Sequence, residues 1–155
     1  MSRIKRAIKK IQDEPIIVPL ATLVAMDKEG RVLLVKNNKG IYTLPSTQIR
    51  PKQTLENSLR IEAQSTMDLT VGSLSLLRVH SGPENKQILA NGEELYTINT
   101  IYYSEDFVSN ENHEFFAVDS LPFAVESMSR FVIESYNREV QRSFMQYIQI
   151  HGDIF

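Results

Sequence analysis

The sequence predicts an α+β fold, in which strands of alternating apolar and polar residues bracket one short capped helix and a longer helical stripe closes the chain. Three observations carry this expectation. Val18 to Asp27 and Arg31 to Lys36 read as strands joined by the turn Lys28-Glu29-Gly30. Leu55 to Met67 carries apolar residues at helical spacing behind a capping threonine. After Pro122, Met128, Val132, Tyr136, Val140, Phe144 and Ile148 recur at about helical spacing, with Phe131 and Met145 widening the stripe.

The elements follow in chain order. Gly40-Ile41-Tyr42-Thr43 leads the second strand into Leu44-Pro45. Thr54 is placed to cap the first helix, and Glu56 in its first turn suits the positive end of the helix dipole. Leu55, Leu59, Ala63 and Met67 face the core, and Glu56 and Arg60 have the spacing of a surface ion pair. Glu62, Ser65 and Thr66 share a third face. Val71 to His80 reads as one long strand, and Ala90 to Phe107 contains another. The final helix is expected to cover a face of the sheet, with an interruption near Asn137, and its aromatic content offers a homodimer interface as the sharper reading.

Composition narrows the function. With 155 residues and 42% hydrophobic content, a single domain over residues 1–155 is expected, with an N-terminal helix (1–14), a core (17–122) and a C-terminal helical region (123–155). A net charge of -2 gives no overall bias toward nucleic acid or a membrane. The absence of cysteine excludes disulfides, thiol catalysis and cysteine-ligated zinc. His80, His113 and His151 lack metal-ligand spacing, the glycines form no phosphate-cradling motif, and no serine sits in a nucleophile elbow.

The apolar run Pro15 to Met26 is too short for a bilayer and contains two prolines, Pro15 and Pro19. Ahead of it, Arg3, Lys5, Arg6, Lys9 and Lys10 alternate with Ile4, Ala7, Ile8 and Ile11 as a basic amphipathic helix. Asp13-Glu14 argues against a signal peptide, and no nucleic-acid or membrane partner is expected; a cytoplasmic location is the default.

The segment Leu44 to Leu69, LPSTQIRPKQTLENSLRIEAQSTMDL, resembles without a gap the Nudix signature, L-P-G-G-x-x-E-x-G-E, a spacer, then R-E-U-x-E-E-x-G-U, where U is a bulky aliphatic residue. Leu44 and Pro45 match. Ser46 and Thr47 stand for the two glycines, Arg50 for an acidic residue, Lys52 for a glycine and Gln53 for the first signature glutamate. Ile61 replaces the arginine, Ser65 and Thr66 the paired glutamates, and Asp68 the closing glycine, so Glu62 alone of the signature glutamates remains. Strand order and the closing HEFFAVDSLP extend the similarity over Ile17 to Pro122.

The resemblance implies an α/β/α sandwich with a mixed central sheet and an extra C-terminal helical region. In that family the third helix face carries carboxylates that hold divalent cations against a pyrophosphate, where the ions polarise the phosphoryl group and generate the attacking hydroxide. Glu62 with two neutral hydroxyls offers much less charge, so no cofactor is expected to bind tightly; magnesium or manganese would serve an active form. Tyr42, where the family often has tryptophan, can line a pocket or simply pack. Glu93 and Glu94 can contact a ligand or serve a turn, and an acid near Glu111 or Glu114 assists catalysis in several relatives.

Two functions follow. One is a Nudix-fold protein with a degenerate metal site that has lost canonical hydrolysis and binds a nucleotide-like ligand or a protein partner. The alternative is a hydrolase of nucleoside diphosphate derivatives, of the ADP-ribose or dinucleotide type, that adds Glu93, Glu94 or Glu114 to Glu62.

Overall fold

The computed structural model describes Arg3 and residues 15–150. The expected N-terminal amphipathic helix lies, apart from Arg3, outside the described residues.

The centre of the fold is β1 (Ile16–Ala25), two residues earlier at each end than the sequence suggests. It pairs in parallel along its whole length with β8 (Glu94–Ser104), and antiparallel on its other edge with β4 (Ser46–Gln48). Side chains alternate across a strand. Ala21, Leu23 and Ala25 therefore face one core with Leu59, Ala63 and Met67, while Val24 and Met26 face the other with Val132 and Ile133. Helix α1 (Leu55–Met67) covers the first face and α2 (Ser127–Ile150) the second, which makes the sandwich.

β2 (Arg31–Lys36) follows a turn in which Asp27 Oδ1 accepts the backbone N–H groups of Glu29 and Arg31, with Gly30 at φ 74. Only the Met26–Val32 bridge joins β2 to the end of β1. β2 pairs instead with β3 (Tyr42–Thr43) and with β10 (Glu114–Ala117), the closing strand. The loop after β3 thus starts from a pinned point between the two sheets.

Two expectations are corrected. Val71 to His80 is not one strand: β5 (Leu69–Val71) pairs with β9 (Phe107–Ser109), and β6 (Ser75–His80) pairs with β8, so the chain changes sheets at Gly72 to Leu74. Asp106 forces the change, because its Oδ2 accepts the Ser73 N–H at 2.8 Å and lies 2.1 Å from where a Cβ on Gly72 would sit. The C-terminal helix also runs uninterrupted through Asn137. An asparagine inside a helix costs well under about 1 kcal/mol, less than the packing of Val132, Ile133 and Tyr136 around it returns. Val140 and Met145 further along are about half exposed, and the side chains of Phe144 and Ile148 lie outside the described set.

β7 (Lys86–Ile88) adds to β8 on the same edge as β6, after a 3-10 turn at Pro83–Asn85. Among the described residues no helix is long and apolar enough to cross a membrane.

The contact at Gly72 generates a test. Gly72→Ala is expected to lose roughly 1–3 kcal/mol in urea unfolding, because the methyl displaces the Asp106 carboxylate from Ser73. In an Asp106→Ala background the same change should cost markedly less; equal costs in the two backgrounds would contradict the steric account.

Candidate functional site

The signature-like segment builds one wall of two adjoining clefts. Pro45 is held where its carbonyl accepts the Leu23 N–H at 2.8 Å, and the Leu44 N–H donates to Ser129 Oγ at 3.0 Å, which ties the loop to α2. Ser46 and Thr47, at the positions of the two glycines, lie in β4 opposite Thr22 and Ala21. A β-branched threonine suits that extended backbone. The Arg50 N–H then donates to Ser58 Oγ, whose own hydroxyl donates to the Thr54 carbonyl, so the fully buried Ser58 fastens the loop to the first turn of α1.

The helix itself follows its local code. Thr54 Oγ1 accepts the Asn57 N–H at 3.0 Å, and Asp68 ends the helix in the left-handed conformation at φ 49. Lys52 also sits at positive φ, 64°. Lys52 and Asp68 therefore keep the backbone conformations that glycine adopts without cost, although neither is glycine. Arg60 is not paired with Glu56 as its spacing suggested; its guanidinium donates to the Gly72 carbonyl at 2.8 and 3.1 Å and to Asn57 Oδ1. Glu56 is instead held below the usual carboxylate range, first by its own backbone N–H and then by the Tyr102 hydroxyl, with Arg60 the weakest contributor.

The first cleft, about 520 Å³, lies between α1, the loop at Leu44 to Ser46, β2 and β10, and is lined by Lys36, Glu62, Thr66, His113, Glu114 and Glu126 among others. The second, about 480 Å³, lies over β1 and β8 beside the start of α2 and presents Thr22, Asn85, Asn99 and Ser129. Leu44, Ser46 and Glu126 line both, so the clefts adjoin. Burial raises the Glu126 carboxyl. Thr22 Oγ1 donates to Asn99 Oδ1 at 2.7 Å, while the buried Asn85 Oδ1 has no hydrogen-bond partner among the described residues.

Glu62 is not free in its cleft. Oε2 accepts from Arg50 Nη2 at 2.9 Å. The hydroxyls of Ser65 and Thr66 both turn back to the Glu62 carbonyl, at 3.3 and 2.7 Å. Such back-bonding is a common use of helical serine and threonine. The expected third face also divides: Glu62 and Thr66 line the first cleft, whereas Ser65 and Ile61 line a shallow groove on the neighbouring face of the helix. Gln53 is exposed, its backbone N–H closing a turn onto the Arg50 carbonyl.

These donors do not fit a divalent cation. One carboxylate is already matched by a guanidinium, two hydroxyls are committed to backbone, and among the described residues no three acidic or histidine side chains converge. Magnesium needs oxygen donors in near-octahedral array, and a cation entering here would compete with Arg50 for the Glu62 carboxylate. As a stabilising contact the ion pair is modest, since partly exposed pairs contribute about 0.2–1 kcal/mol. Its consequence is local charge cancellation.

The remaining expected site residues separate. Tyr42 stands beside the first cleft and packs edge-on against Phe116 with ring centroids 5.1 Å apart, while Lys36 Nζ lies 5.3 Å from its ring centre. The neighbouring Glu114 carboxylate raises its hydroxyl. Glu94 lines neither cleft; it pairs with Lys86 at 2.8 Å, which holds its carboxyl below the usual range. Glu93 is exposed at the Asn91-Gly92 turn, and only Glu114 of the suggested auxiliary acids reaches the cleft of Glu62. Asn85 and Glu126 sit in no recognisable sequence pattern. For Arg50 the signal was a charge reversal at a signature position.

This arrangement of mixed sheet, loop and capped helix between two helical layers is the fold of the Nudix hydrolases. A MutT NUDIX hydrolase from Burkholderia pseudomallei superposes with a TM-score of 0.56 at 21% identity over 76% of this chain and 96% of its own. A MutT protein from Bacillus halodurans gives 0.57 at 14% identity, over 76% and 80%. The NUDIX domain of NrtR from Shewanella oneidensis, in complex with ADP ribose, gives 0.57 at 14% identity over 90% and 99%. No family model and no curated protein sequence matches the chain.

The retained backbone at Lys52 can be tested. A side chain at positive φ carries strain of about 1 kcal/mol, partly offset because glycine gains unfolded-state freedom. Lys52→Gly is expected to raise stability by roughly 0.5 kcal/mol in chemical denaturation. A loss instead would mean that the loop does not hold this conformation.

Proposed function

We propose that this Nudix-fold protein binds a nucleotide-like ligand across the two adjoining clefts and does not carry out metal-dependent hydrolysis. The observation that carries the reading is the Arg50–Glu62 ion pair, which gives the remaining signature carboxylate an internal counter-charge. Metal-assisted phosphoryl chemistry needs an ion to polarise the phosphoryl group and activate water, and a neutralised carboxylate beside committed hydroxyls supplies neither. Polar amides and hydroxyls around an apolar wall in the second cleft suit a sugar or base, and the ADP ribose held by the NrtR domain supports that ligand class. A homodimer remains part of the reading, drawing on the exposed Val140 and Met145 of α2.

One observation favours the alternative. Glu62 and Glu114 line the same cleft and would be the acids of a rebuilt hydrolytic site.

Calorimetric titration with ADP-ribose separates the two. Binding should be the same in chelator and in millimolar magnesium, with no phosphomonoester released on long incubation. Affinity that requires magnesium, or metal-dependent turnover lost in Glu114→Gln, would establish the hydrolase instead.

A further inference from the structure

We infer that Arg50, which does not itself line the first cleft but bonds the Glu62 that does, is the phosphate-binding group at the cleft's edge, and that Glu62 is its internal competitor, released when a phosphate arrives. The inference rests on the nucleotide-binding reading above and gives its ligand's anionic part a specific partner.

The ion pair is incomplete. A guanidinium and a carboxylate can share two parallel hydrogen bonds, the geometry that makes such pairs strong. Here a single contact joins Nη2 to Oε2, and Arg50 Nε is covered without an acceptor among the described residues. A covered donor left unmatched is costly, so the guanidinium is only half satisfied by Glu62. A phosphate offers three oxygens with which to complete the fork, and arginine is well shaped for that geometry.

The backbone of Arg50 is fixed while its head is accessible. Its N–H is bonded to the buried Ser58 and its carbonyl to the Gln53 N–H, yet its side chain is 41% exposed. In this scheme the guanidinium turns from Glu62 toward the cleft by side-chain rotation, with the loop backbone held in place. Lys36 lines that cleft and, among the described residues, has no carboxylate at ion-pair distance, so it supplies a second positive charge. Glu114, on the strand paired with that of Lys36, lies beside the Tyr42 hydroxyl. In this scheme Arg50 and Lys36 neutralise the phosphate, and no ion is required.

The scheme reverses the sign of one mutation. Where a carboxylate holds a metal against phosphate, removing its charge weakens binding. Where it competes for the arginine, removing its charge strengthens binding.

The experiment is titration of inorganic pyrophosphate, in chelator, into the full chain and its Arg50→Gln, Arg50→Lys and Glu62→Gln variants, with melting temperatures measured alongside. The ion pair contributes little to stability, so all should fold. Arg50→Gln is expected to weaken pyrophosphate about 10 to 100-fold, the effect of losing hydrogen bonds to a charged partner. Arg50→Lys should recover part of that loss, and Glu62→Gln should bind several-fold more tightly than the parent. Weaker binding by Glu62→Gln, or unchanged binding by Arg50→Gln while ADP-ribose still binds the parent, overturns this inference and leaves the nucleotide reading standing. Failure of both pyrophosphate and ADP-ribose to bind the parent removes both.

Discussion

The parallel pairing of β1 with β8 is the constraint on which the rest of the molecule depends. It runs from Ile16–Leu95 to Ala25–Ser104 without a register shift, and its two strands supply residues to both cores. Because a strand alternates strictly, a slip of one residue would exchange the α1-facing and α2-facing side chains of β1 and expose neither core to a compatible partner. The other edge of β1 fixes β4, and with it the loop that leads to α1. Loop position, helix entry and both clefts therefore inherit their geometry from one strand pair.

Within that frame, the signature-like segment keeps its backbone and changes its charges. Lys52 and Asp68 hold left-handed conformations that glycine would adopt freely, and Thr54 caps α1 in place. By contrast Arg50, at a position where the family usually has an acid, and Glu62, twelve residues on, are a cation and an anion facing each other. A guanidinium on the loop thus serves as counter-charge to the carboxylate on the helix.

The sequence was most legible where the physics is local. The α1 helix has the expected span because its cap, first-turn acid and apolar spacing lie within a few residues of each other, and the terminating Asp68 lies one step beyond. Arg31 to Lys36 likewise is a strand bounded by its Asp27 turn. What could not be read depends on distant partners. The break at Gly72 answers to Asp106, Arg60 chooses the Gly72 carbonyl over Glu56, and α2 continues through Asn137 because the sheet beneath it outweighs a weak local preference. In the site, the separate substitutions at positions 50, 65 and 66 were visible, but their outcome was not: a hydroxyl that bonds its own helix and an arginine that reaches a glutamate are settled only when the loop is folded. Asn85 and Glu126 carry no pattern at all, and reach the clefts through a 3-10 turn and the approach to α2.

On the reading proposed above, the cation of this site is part of the chain, the Arg50 guanidinium. Electron paramagnetic resonance of free manganese, titrated with the protein and with Arg50→Gln, measures it most directly. The parent should leave millimolar manganese essentially free, and Arg50→Gln, with its Glu62 carboxylate released, should take up more of the ion than the parent. Stoichiometric manganese binding by the parent that disappears in Glu62→Gln would contradict the claim.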